Sequence, residues 1–211
     1  MTARISPDRV GLSGQRLDRL VEHLQGYVDR GHLPGWQLLL ARSDRIALEA
    51  CHGLRDVEAR TPLTSDTVFR IYSMTKPITS VALMTLYERG RFQLDDPIER
   101  HLPELGDPQV FAAGDEHDYT TVPADRSVTV RDLLTHTAGL TYAFLHAHPV
   151  DALYRRHGIG GVANRGTLAE MVERLGGLPL QFQPGTRWNY SVATDVCGHL
   201  IERLSGRPLD A

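Results

Sequence analysis

Ser73-Met74-Thr75-Lys76 sets a serine three residues ahead of a lysine, at the head of an apolar run. Ile78, Val81, Ala82, Leu83, Met84, Leu86 and Tyr87 predict a helix buried nearly all round. Pro77 falls at the edge of the first turn, where a missing N–H costs at most one helical bond. The helix is expected to run to Arg89 and to stop at Gly90, a left-handed cap. Side chains at i and i+3 share a helical face, so the Lys76 amine can lie beside the Ser73 hydroxyl. The unpaired N–H groups of a helix start favour negative charge on a nearby oxygen and disfavour a second positive charge on Lys76. By itself the tetrapeptide also fits an N-cap serine followed by an exposed lysine, and the rest of the chain must decide.

Upstream, Ser13 can cap a helix whose stripe is Leu17, Leu20, Val21, Leu24 and Val28, ending near Gly31. Trp36 to Ala41 and Ile46 to Cys51 are strand-like runs joined by Arg42-Ser43-Asp44-Arg45, a predicted β-hairpin. Downstream, Asp96 is expected to cap a helix with Pro97 in its first position. Gly106 to Ser127, with Asp107, Asp115, Glu116, His117 and Asp118, reads as a long surface loop. Thr129 to His136 reads as a short helix ending at Ala138-Gly139. Thr167 and Glu170 have capping-box spacing ahead of Leu168, Met171, Val172 and Leu175, and Gly176-Gly177 ends that helix. Val192, Val196, Leu200, Ile201 and Leu204 mark a last helix closed by Gly206 and Pro208. From Ser73 onward the expectation is an almost wholly helical chain, without repeats.

The 211 residues are 41% hydrophobic and 23% charged, an ordinary globular balance. A formal net charge of −3 without a Lys/Arg run gives no electrostatic footprint for nucleic acid or an anionic membrane. No stretch has the length of a transmembrane span, and the charged first thirty residues show no secretory signal. Cys51 and Cys197, only two and far apart, fit reduced core thiols and a cytoplasmic location.

Gln183-Pro184-Gly185-Thr186-Arg187-Trp188-Asn189-Tyr190-Ser191-Val192 delivers an aromatic hydroxyl on a turn leading into a helix. Taken with Ser73-x-x-Lys76 and Leu133-Leu134-Thr135-His136-Thr137-Ala138-Gly139-Leu140, in that order, the chain resembles the serine β-lactamase and penicillin-binding superfamily. Within it the likeness is to the family VIII carboxylesterases, relatives of class C β-lactamases. The likeness covers the first helix to Ala211, and Leu140 to Phe144 with Pro149 to Arg155 strengthens it. It implies an α/β (α+β) fold, an antiparallel sheet flanked by helices with an all-α region. Residues 1–72 would supply a helix and hairpin of the sheet region, residues 73–211 the nucleophile helix and all-α region, and the active site would lie at their junction.

The resemblance implies that Ser73 is the acylated nucleophile, that Lys76 helps activate it, and that Tyr190 exchanges a proton with the serine oxygen and then with the leaving group. The chemistry of the side chains agrees, since a phenol becomes a usable base only where a cation favours its phenolate, and Lys76 would be that cation. Class C enzymes carry Asn two residues after the motif tyrosine. Here that position is Val192, which cannot hydrogen-bond a β-lactam amide, so ester hydrolysis is expected over β-lactam or D-alanyl-peptide hydrolysis. The family's third motif, which supplies one of two oxyanion N–H groups beside that of the serine, lies downstream of Ala211. The chain therefore resembles the N-terminal part of a longer enzyme with an incomplete sheet, and a non-catalytic fragment or binding module is the rival outside the enzyme class.

Tyr142 and Phe144 are candidates for an apolar acyl pocket and equally for core, with Tyr154 and Trp188 weaker ones. His136 reads as a core or capping histidine. His146, His148 and Asp151 lack metal-site spacing and read as a pocket loop or solvated surface. No metal and no cofactor are expected, and the expected partner is a small-molecule ester. Oligomeric state is not legible.

Overall fold

The computed structural model describes residues 3–161 and 166–211. It divides into two compact units, Met1–Arg70 and Ile71–Ala211.

In the first unit, helix α1 (Gly14–Asp29) starts where Ser13 Oγ accepts the Arg16 N–H, the capping expected of a serine there. Strands β1 (Gly35–Arg42) and β2 (Arg45–Asp56) pair antiparallel. The two loop residues Ser43 and Asp44 have φ of 51° and 55°, both left-handed, as a two-residue hairpin turn demands. A short strand β3 (Thr61–Pro62) extends the sheet beyond the expected hairpin to three strands, in the order β1-β2-β3. α1 lies on β2, with Leu17 its one buried residue.

The second unit holds the main hydrophobic core, built on Leu83, Ile98, Leu133, Tyr154, Val172, Val196 and Leu200. Its helices are α2 (Thr75–Glu88), α3 (Val130–Leu134), α4 (Pro149–Arg156), α5 (Leu168–Gly176) and α6 (Ala193–Ser205). α6 packs against α2, α3 and α5. Thr129 with Asp132 and Thr167 with Glu170 form capping boxes, and Gly206, at φ 72°, closes α6.

Three expectations need correction. Gly106 to Ser127 is not a loop, because β4 (Gln109–Gly114) and β5 (Tyr119–Pro123) form an antiparallel hairpin. Its polar residues fall on the turn, where Asp115 Oδ1 accepts the N–H groups of His117 and Asp118 at 2.7 and 3.0 Å. Val110 is buried, and Phe111 N–H donates to Leu180 O at 2.9 Å, a long-range pairing that local polarity cannot reveal. Next, α2 is not buried all round: it buries Thr79, Leu83 and Leu86, while Ile78 and Val81 are 60% and 65% exposed. Finally, Pro97 caps a 3₁₀ turn at Ile98–Arg100 rather than opening an α-helix. Asp96 instead accepts the Gln93 N–H and pairs with Arg100 and His101.

Candidate active site

Ser73 lies in a 3₁₀ turn, Tyr72–Met74, that runs directly into α2, so Ser73 precedes the α-helix and Lys76 sits in its first turn. Tyr72 has φ 46°, a left-handed conformation disfavoured for a bulky residue, at the position where the chain turns to present Ser73.

Tyr190 arrives on a segment zipped to the loop after α3. Gly185 N–H donates to Thr137 O, Asn189 N–H to His136 O, and Val192 N–H to Thr141 O, at 2.8, 2.9 and 3.2 Å. The Asn189 amide adds a bond to Leu140 O at 2.9 Å. Gly139, at φ 84°, allows this approach, since a Cβ there would stand 2.6 Å from Phe182 O. The two downstream sequence motifs therefore form one rigid platform. His136 belongs to it: its Nδ1 is 3.1 Å from Ser191 Oγ, which accepts the Ala193 N–H at the start of α6. Burial and the Lys76 charge hold the His136 pKa below the usual imidazole value, which favours the neutral ring. Its contacts are those of a brace for the Tyr190 segment.

The platform brings Tyr190 Oη to 2.6 Å from Ser73 Oγ, with the phenol donating, across 117 residues of sequence. Lys76 Nζ stands 4.8 Å from the Tyr190 ring centroid and 5.4 Å from that of Tyr142. Burial draws the Lys76 pKa down, but the hydroxyls of Tyr142 and Tyr190 outweigh it and leave it above the ordinary lysine value. The two tyrosines part company. Burial pushes Tyr142 up against the influence of Lys76, whereas for the less enclosed Tyr190 burial is outweighed by Lys76 and Ser73, leaving it below the usual phenol value. The two phenols, both beside Lys76, are thus pushed in opposite directions by their surroundings.

These groups line an open cleft of about 390 Å³. Tyr142 is buried in its wall, and Phe144, 54% exposed, stacks on it at a centroid distance of 4.8 Å; both line the cleft. Val192 does not. It is wholly buried, and a Cβ on Gly160 would meet its Cγ1 at 2.9 Å, so its side chain packs behind the cleft floor and faces no ligand. The expectation that this position decides hydrogen bonding to substrate therefore fails on geometry, because Val192, the N-cap of α6, packs into the core. Trp188 is 67% exposed and flanks Tyr190 and His136 outside the lining, and Tyr154 is core.

The acidic residue of the site is Asp195, which lines the cleft from the first turn of α6 and was not singled out by the sequence. An acid in a first turn reads as an ordinary response to the helix dipole, so only its place in the cleft distinguishes it. His148 Nδ1 and the Asp151 carboxylate are used locally, Asp151 accepting from Thr141, Gln181 and the N–H groups of Ala147 and His148. Among the described residues no group of three or more His, Cys, Asp or Glu could hold a metal ion, and no helix is long and apolar enough to cross a membrane.

A family model described as Beta-lactamase matches residues 17–211. Esterase EstB of Burkholderia gladioli is 41% identical over 181 residues, 85% of this chain and 43% of that protein. Among solved structures, EstCE1, a hydrolase with promiscuous acyltransferase activity, superposes with a TM-score of 0.75 at 31% identity, covering 92% of this chain and 48% of that one. Simvastatin synthase (LovD) from Aspergillus terreus gives 0.74 at 28% identity, again 92% and 48%. The chain spans less than half the length of these proteins.

Proposed function

The chain belongs to the beta-lactamase family, and from that premise we propose that the protein is a serine hydrolase cleaving carboxylic esters through an acyl-enzyme on Ser73. The observation that carries this reading is the 2.6 Å contact between Tyr190 Oη and Ser73 Oγ with the Lys76 ammonium over the tyrosine ring. A raised Lys76 and a lowered Tyr190 both favour ammonium beside phenolate, and in that state the serine O–H donates to the phenolate. As Ser73 Oγ bonds to the ester carbonyl carbon, its proton passes to Tyr190. Collapse of the tetrahedral intermediate breaks the bond to the alcohol oxygen, which takes the proton from Tyr190 and leaves. Water then attacks the acyl-enzyme, giving a proton to Tyr190, which returns it to Ser73 as the acid departs.

The names of the relatives support this substrate class, and those printed as acyltransferases favour a second reading in which an alcohol replaces water in the last step. Tyr142 and Phe144 would hold the acyl or alcohol group. The free cysteines Cys51 and Cys197 support a cytoplasmic site of action.

The test is labelling of the intact protein with a fluorophosphonate, read by mass at the peptide that carries Ser73. Ser73→Ala should abolish both labelling and p-nitrophenyl butyrate turnover while leaving the fold, because an exposed hydroxyl contributes at most a cap of about 1 kcal/mol. Esterase activity retained by that variant would remove Ser73 from the mechanism.

A further inference from the structure

Lys76 is the one cationic side chain among the described residues that line the cleft, and Asp195 is the one anionic side chain. Asp195 is half-buried at the third position of α6. Its backbone N–H donates to Val192 O, and no side chain among the described residues donates a hydrogen bond to its carboxylate. That carboxylate feels Lys76 directly, and its pKa is raised by burial against the pull of that charge. An acid serving only the helix dipole gains from solvent exposure and from the N–H groups of the first turn. Asp195 is instead drawn into the cleft, where a charge is costly.

Resting on the esterase reading above, we propose that Asp195 is a specificity-determining residue that sets the site for acyl donors without a carboxylate and disfavours donors that carry one. The reasoning is a charge balance. The Lys76 cation could attract an anionic substrate, but it is already engaged with the rings of Tyr142 and Tyr190, and Asp195 adds a carboxylate to the lining of the same cleft. Where Asp195 is ionised, a carboxylate-bearing donor meets like charge as it enters a partly desolvated cleft. A neutral ester meets no such opposition. β-Lactams and D-alanyl peptides carry a carboxylate, so discrimination against them follows from charge at Asp195 and not from a lost hydrogen bond at the buried Val192.

The experiment compares the mono-p-nitrophenyl ester of adipic acid with the same ester methylated on its free carboxylate, two donors of nearly equal shape differing by one charge. The quantity read is the ratio of kcat/KM for the anionic over the neutral donor in the intact protein, whatever happens to either rate alone. In Asp195→Asn that ratio should rise about ten-fold, which at about 1.4 kcal/mol per decade is what removal of one nearby charge delivers. A purely structural role at the start of α6 would move both rates together and leave the ratio fixed. Should the asparagine variant fold poorly, the wild-type ratio measured from low to about 1 M salt replaces it, because screening weakens the opposition and raises the ratio. A ratio unmoved by the substitution, with neutral-ester turnover still lost in Ser73→Ala, overturns the assignment of Asp195 and leaves the esterase reading standing. Absence of Ser73-dependent turnover on either donor overturns both.

Discussion

Replacing Tyr190 by phenylalanine removes one oxygen from the site and little else. The ring keeps its neighbours, Tyr142 at 5.3 Å, His136 at 5.1 Å and Trp188 at 6.4 Å between centroids, and the backbone bonds that hold the segment do not involve the hydroxyl. The structural cost is one hydrogen bond between partly exposed groups, about 1 kcal/mol net. The chemical cost is far larger. The Oη to Oγ distance of 2.6 Å is within the range for a short O–H···O bond, so the proton moves without rearrangement, and a positioned general base contributes about 10²–10⁴-fold. The expected result for Tyr190→Phe is therefore a fall of that size in kcat/KM for p-nitrophenyl butyrate with a melting temperature close to wild type. Lys76→Met should fall comparably, because without the ammonium the phenolate is no longer favoured. The double variant should lose little beyond either single one, since residues acting as one proton-transfer unit are not additive. A Tyr190→Phe enzyme within a few-fold of wild type, or losses that multiply in the double variant, would refute the idea that the two residues share the proton.

Further outcomes are expected. With Tyr190 held below the ordinary phenol value of about 10, kcat/KM for a neutral ester should climb with pH through a midpoint below that value; in Lys76→Met the residual activity should titrate higher, and an unmoved midpoint would speak against Lys76 as the cause. Asp132 is buried and accepts from Arg126, Thr129 and Thr137. Burial alone would raise its pKa, but these partners hold it below the usual value. Asp132→Asn should cost about 2–3 kcal/mol in denaturant unfolding at pH 7. A depressed carboxylate stabilises fully above its unfolded pKa of about 3.9 and loses that contribution as pH falls through its lower folded pKa, so the gap to wild type should be complete above about pH 4 and close below it. Cys197 is buried, with its thiol pushed up to about 12. It should resist a thiol-disulfide reagent until the chain unfolds, and rapid modification in the native protein would place it wrongly.

Local signals in the sequence determined the capped helices. Ser13, Thr129 and Thr167 each hydrogen-bond within three residues, so their side chains announce a helix start without help from the rest of the chain. The Ser43-Asp44 turn is local in the same sense, whereas the Ser73, Lys76 and Tyr190 motifs became candidates through their resemblance to a known family. Whatever depended on distant partners was not legible. The hairpin of β4 and β5 is anchored to Leu180 about seventy residues on, and a polar turn hid it. Ile78 and Val81 carry the same apolar signal as Leu83, and only the packing of α2 on α6 decides which of them is buried. Val192, the N-cap of α6, and Asp195 in its first turn lie three residues apart, yet the packing of that helix puts the valine in the core and the carboxylate in the cleft. A side chain's type is written in the chain, but the direction it faces is set by elements far from it in sequence. That is why the candidate nucleophile and its partners could be read from the motifs while the charge that shapes their cleft could not.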